Sequence, residues 1–129
     1  MISKIYIASK TKHAPMWIAL RESGYNIISS WIDEHGSKAS SNLMALAIRC
    51  IEESRQADFT ILYSESDEHL RFALAEVGSA LSAEKKVIII GNGPSISNVM
   101  IQHPNIQMAF SIDEALSIVE NHENIVTLI

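Results

Sequence analysis

The run Ala75-Glu76-Val77-Gly78-Ser79-Ala80-Leu81 sets one carboxylate in a segment that is otherwise apolar or small, with a glycine two residues on. A glutamate is rarely buried without a partner or a task. A glycine inside a helix costs about 1 kcal/mol against alanine, so a packing or access reason is expected for it. If this run is a helix following a parallel strand, Glu76 points toward the pocket where such folds bind ligands. The alternative is an exposed position on the helix, or an ion pair with Arg71 or Lys85.

Two further segments carry polar groups that could meet a ligand. Ser9-Lys10-Thr11-Lys12 leads into a helix start, where free N–H groups and two lysines could hold an anion. It lacks the glycines of a Walker loop, and a solvated turn is the competing reading. Trp31 and Asp33 close a predicted strand at the pocket edge, where an indole could stack on a base and a carboxylate could bind a sugar hydroxyl. The competing reading makes Trp31 a cover for the sheet edge and Asp33 the start of a turn. His13, His35, His69, His103 and His122 share no metal-binding spacing, so no metal site is expected. No Gly-x-Ser-x-Gly elbow supports a hydrolase triad. Cys50 falls on the apolar face of a predicted helix and reads as core.

These residues need a scaffold, and the pattern supplies one. Short apolar runs predict strands at 5–8, 25–31, 59–63, 87–90 and 106–110. Helices are predicted over 13–23, with Pro15 in the first turn and Gly24 past the end, over 42–56, over 69–84, and from the capping pattern Ser111-Ile112-Asp113-Glu114 to about 122. The stretch 92–104 reads as a long loop. Strands alternating with helices imply a parallel sheet with right-handed crossovers. The expected fold is α/β: a three-layer, flavodoxin-like (Rossmann-like) five-stranded sheet of order 2-1-3-4-5, with the pocket at the carboxyl ends of the strands.

A chain of 129 residues with 47% hydrophobic content fits one domain with one core. The formal net charge of −5 argues against a nucleic-acid polymer as partner. A single cysteine excludes an internal disulfide. No apolar run is long enough to span a membrane, and no leader segment precedes the first strand, so the expectation is a cytoplasmic protein. The third helix, with Ala73, Ala75, Ala80 and Ala83 on several faces, has more apolar surface than one sheet layer needs, which predicts a homodimer or higher homo-oligomer.

Three segments resemble the nucleoside 2-deoxyribosyltransferase-like superfamily. They are Lys4-Ile5-Tyr6-Ile7-Ala8-Ser9, Ala57-Asp58-Phe59-Thr60-Ile61-Leu62, and Glu76-Val77-Gly78-Ser79-Ala80-Leu81 followed by Lys86-Val87-Ile88-Ile89. The likeness covers about residues 4–91 of what would be a single domain over 1–129. It implies cleavage or transfer at the N-glycosidic bond of a nucleoside or nucleotide, without a metal or other cofactor. The Glu76 carboxylate would be the nucleophile on the anomeric carbon, giving a glycosyl-enzyme intermediate through an oxocarbenium-like transition state. Tyr6 matches the aromatic that hydrogen-bonds the nucleophile, and Ser9 the small-residue turn that leaves room for the ligand.

The chain also departs from the family pattern. Leu70 stands where members often carry Asp or Ser, and Cys50 where a helix carboxylate is common. Asp67, through a shifted loop, and Arg71, as a phosphate ligand, are the expected substitutes. Asn98 is the expected sugar contact from the long loop. The competing reading is a non-catalytic protein that binds a nucleotide or a nucleotide-derived signal in the same pocket.

Overall fold

Each of the apolar runs at 59–63 and 87–90 is buried because both faces of its strand are covered. The structure, a computed structural model, describes residues 3–128. Strand β1 is Ile5–Ala8, β2 Phe59–Tyr63, β3 Lys86–Ile90 and β4 Ile106–Ala109. They form one parallel sheet in the order β1-β2-β3-β4. The helices are α1 (Ala14–Glu22), α2 (Leu43–Gln56), α3 (Phe72–Ser82) and α4 (Ile112–Leu128).

Register assigns the faces. Tyr6 lies opposite Thr60, and Thr60 opposite Val87. Side chains alternate along a strand, so these three share a face with Ala8, Leu62 and Ile89. Helix α3 packs over that face against β1, β2 and β3, and α2 packs on α3. The opposite face carries Phe59 and Tyr63. Phe59 meets His122 of α4 edge-on at 5.2 Å, and Tyr63 meets Trp17 of α1 at 5.5 Å. The result is the expected three-layer α/β arrangement.

The sheet has four strands rather than five. The expected strand over 25–31 makes a single parallel bridge, Ile27 with Ile5, on the edge of β1 away from β2. Ile5 N–H donates to Asn26 O and Ile28 N–H to Ile5 O, each at 2.9 Å. At the next rung the Ser29 hydroxyl, not a carbonyl, accepts the Ile7 N–H at 2.6 Å. The chain then coils into a 3₁₀ turn, Ser30–Asp33. A side chain that takes over the ladder ends it, so the outermost member of the expected order 2-1-3-4-5 is reduced to one rung.

The helices start and stop for local reasons. Asn42 caps α2 by accepting the Ala45 N–H at 3.0 Å. Ser111 accepts the Glu114 N–H at 3.1 Å, and the Glu114 carboxylate accepts the Phe110 N–H at 3.0 Å. Helix α3 begins three residues later than expected because Ser95 claims the backbone of Leu70. Its hydroxyl accepts the Leu70 N–H at 2.7 Å and donates to Leu70 O at 3.3 Å. Helix α4 continues past the expected end at residue 122 to Leu128.

Two glycines show how differently the residue can matter. Gly91, at the end of β3, has φ +96°, and a Cβ there would lie 1.9 Å from Ser64 O. The loops after β2 and β3 can therefore meet only with glycine at this position. Gly78, in mid-α3, is exposed and has nothing within 4 Å of an added Cβ. No packing or access reason for it appears among the described residues. Gly78→Ala should therefore raise the unfolding free energy by about 0.5–1 kcal/mol, whereas Gly91→Ala should lower it by about 3 kcal/mol. Urea titrations followed by circular dichroism check both, and equal midpoints for the two variants would contradict this packing.

Candidate active site

Position 76 is the fifth residue of α3, on the stripe with Ala73, Val77 and Ala80 that faces the sheet. Its side chain is only 5% exposed, so it does not occupy an outward position. Neither Arg71 nor Lys85 is its partner. The Tyr6 hydroxyl, from the middle of β1, donates to Glu76 Oε2. Tyr6 reaches it because odd and even residues of β1 face opposite layers, and the even face is the one α3 covers. Burial pushes the Glu76 carboxyl up from the ordinary 4.5 to about 8. A tyrosine hydroxyl can donate to a carboxylate or accept from a carboxylic acid, so this contact can follow either state.

Glu76 opens on a cavity of about 470 Å³ at the carboxyl end of β1. The segment after β1 supplies Ser9, Lys10 and Thr11, and the 3₁₀ turn after the broken edge strand supplies Trp31 and, next to its end, Glu34. Helix α2 contributes Leu43, Leu46, Ala47 and Cys50, and α3 contributes Phe72 and Ala73 beside Glu76. The Cys50 thiol is pushed up to about 11, chiefly by burial, and is therefore not a thiolate at neutral pH.

The residues anticipated from sequence divide clearly by position. Glu76, Ser9, Lys10 and Trp31 line the cavity, and Tyr6 holds Glu76 from behind. The hydrogen bonds of Ser9 are committed: its hydroxyl accepts Trp17 Nε1–H at 2.9 Å and donates to Lys10 O at 3.0 Å. Trp31 gives its Nε1–H to Ile7 O at 2.8 Å, which leaves the ring as wall. Asp33 is not part of the wall. Arg21 holds it in a two-pronged pair at 2.8 and 2.9 Å, which keeps its carboxyl below the usual range. Asp67, Arg71 and Asn98 are exposed and lie outside the cavity lining.

Glu34 escaped the sequence reading because the strand was expected to end at Trp31, with 32–41 as a loop whose side-chain directions no periodicity assigns. The 3₁₀ turn Ser30–Asp33 and the residue that closes it bring Trp31 and Glu34 to the cavity, while Asp33 goes to Arg21. Glu34 is fixed by Arg49 of α2, whose guanidinium donates to Glu34 Oε2.

Lys12 turns away from the cavity into a second charged group. Its ammonium lies 3.4 Å from Glu68 and 3.9 Å from Glu65, and His13 Nε2 lies 2.8 Å from Glu68. Burial opposes ionisation of Glu68, but the Glu65 backbone N–H, His13 and Lys12 together hold its carboxyl below the usual range. His13, Glu65 and Glu68 bring possible metal-binding atoms within 4.8 Å of one another, yet Lys12 already supplies a positive charge to both carboxylates. The cluster reads as a tie between the loops after β1 and β2. Among the described residues, no helix is long and apolar enough to cross a membrane.

No family model matches the chain, and no curated protein matches it. Solved structures do. One is a 2-deoxyribosyltransferase from the psychrotolerant bacterium Bacillus psychrosaccharolyticus, with 20% identity and a TM-score of 0.66 over 88% of this chain and 90% of that one. Another is a CMP N-glycosidase of Clostridium botulinum, with 13% identity and a TM-score of 0.56 over 91% of this chain and 98% of that one. The chain shares their fold.

The raised pKa of Glu76 has a consequence for stability. Between 4.5 and about 8, the unfolded chain carries an ionised Glu76 while the folded chain keeps it neutral. The folded state holds the extra proton, so stability falls as pH rises through that window. Glu76→Gln removes this loss. The variant should match the wild type near pH 4.5 and exceed its stability by on the order of 3 kcal/mol at pH 7. Urea midpoints across that range test it, and a difference that does not grow with pH would mean that burial does not control this carboxyl.

Proposed function

We propose that this chain is a divergent member of the nucleoside 2-deoxyribosyltransferase-like superfamily, one domain over 1–129, that cleaves or transfers the N-glycosidic bond of a nucleoside or nucleotide. The observation that carries this reading is a buried glutamate, Glu76, held by Tyr6 and opening on a cavity at the carboxyl end of the parallel strand β1. The fold shared with a 2-deoxyribosyltransferase and a CMP N-glycosidase supports it.

In this mechanism, a Glu76 oxygen attacks the anomeric carbon as the C–N bond breaks. The bonding pair leaves with the base nitrogen, which takes a proton. A water or a second base then displaces Glu76 from the sugar. Tyr6 fixes the attacking carboxylate in place. The developing positive charge on the sugar stabilises the ionised form of Glu76 most in the transition state, which is where a catalyst gains. Lys10, at the cavity wall and outside any ion pair among the described residues, is the natural site for a phosphate or a sugar oxygen. Ser9 and Trp31 shape the sugar end and the wall. Asp33, Asp67, Arg71 and Asn98 receive no substrate contact within one chain on this reading.

A second reading has its own support. At neutral pH the free protein keeps Glu76 largely protonated, as suits a pocket that binds a nucleotide without attacking it. Base release followed by chromatography over a panel of nucleosides and 5′-monophosphates separates the two. The enzyme reading expects release that rises with pH to a plateau above about 8, and at least a 10³-fold loss in Glu76→Gln, as for removal of a nucleophile. Tight binding with no release across the panel would reject catalysis and leave the binding protein.

A homodimer or higher homo-oligomer is proposed through the outer face of α2. Leu43 is 71% exposed, Met44 73% and Ile48 60%, and Phe72 lies at the same cavity rim as Leu43. Apolar side chains this open, grouped around a cavity mouth, fit an interface better than a solvated face. Light scattering at micromolar concentration should return a multiple of 14.3 kDa, and Met44→Glu with Ile48→Glu should return the monomer. A wild-type monomer would exclude the interface.

A further inference from the structure

Beside Glu76, the cavity wall carries one basic and one acidic side chain. Lys10 is the cation, and Glu34, in its ion pair with Arg49, is the anion. Glu76 is largely neutral until the pH approaches about 8. Ser9 has its hydroxyl committed to Trp17 and to the Lys10 carbonyl. Most of the remaining wall is hydrocarbon or aromatic, with Trp31, Leu46 and Phe72 as its largest members.

A nucleotide entering such a cavity sorts itself by charge. Its phosphate is attracted to Lys10, whereas Glu34, already neutralised by Arg49, offers an anion only an acceptor. The flat, apolar faces of its base suit Trp31 and Phe72, and Phe72 is half-exposed at the wall. The base edge then lies on the Glu34 side. An ionised carboxylate only accepts hydrogen bonds. Only Oε2 of Glu34 has a protein partner among the described residues, so Oε1 retains its full accepting capacity.

We infer that Glu34 is a specificity-determining residue that selects bases carrying an exocyclic amino group, such as cytosine and adenine, over their carbonyl counterparts, uracil and hypoxanthine. An amino N–H satisfies Oε1. A carbonyl in the same place sets two acceptors against each other and leaves the carboxylate desolvated without a donor. Arg49 is a positioning residue, since its guanidinium fixes the carboxylate without lining the cavity.

The inference rests on the nucleotide reading of this cavity but not on turnover, so its test is equilibrium binding. Dissociation constants are measured by calorimetry for CMP against UMP and AMP against IMP, with wild type, Glu34→Gln, Arg49→Met and Lys10→Ala. The wild type should favour the amino member of each pair by about tenfold or more. Glu34→Gln should bring the ratio near one, because an amide can turn to offer a donor or an acceptor. Arg49→Met should reduce the ratio. Lys10→Ala should weaken all four ligands and keep the ratio. A misfolded variant would lose all binding rather than change a ratio, and circular dichroism identifies that case.

A wild-type ratio near one, a ratio unchanged in Glu34→Gln, or no binding of any ligand at millimolar concentration would overturn the inference. Discrimination without base release would leave it standing while the enzyme reading fails. Base release without discrimination would do the reverse.

Discussion

A carboxyl group enclosed between β1 and α3 sets terms that its neighbours must meet. Glu76 is buried against the sheet, and among the described residues no cation neutralises it. Keeping such a group in place requires a hydrogen-bonding partner with its own fixed position, and Tyr6 provides one from a strand with both faces covered. That requirement fixes the register of β1 under α3. A shift of one residue would turn Tyr6 to the α1–α4 layer and leave Glu76 unpartnered. Site and sheet therefore share one geometric condition.

The rest of the carboxyl edge is organised by close backbone approach and by charge. Gly91 lets the loop after β3 rest on the Ser64 carbonyl, and Glu68 ties the loop after β2 to His13 and Lys12. These contacts leave Lys10 as the lysine of its loop that faces the cavity. The loops after β1, β2 and β3 are thus tied to one another rather than standing as independent segments.

Much of this was legible in the sequence. The apolar runs of β2 and β3, the cap at Ser111, and the pattern of alternating strands and helices follow from local propensity and periodicity, so they survive without knowledge of neighbours. A glutamate in an apolar helix was conspicuous for the same reason. Its partner Tyr6 came only through the family resemblance, and its proton affinity not at all, since both depend on elements far away in the chain.

What only the tertiary structure decided lies where a local pattern had two outcomes. Residues 25–31 read as a strand, but the Ser29 hydroxyl took the rung that a carbonyl would have filled and the chain coiled. At that turn Glu34, not Asp33, lines the cavity. Lys10 and Lys12, two apart in one loop, part company because Glu65 and Glu68 capture the second. Composition and periodicity determine which elements form and which faces are apolar. Which of two adjacent polar residues meets a ligand depends on hydrogen bonds made across the fold, and those are not written in any local window of the chain.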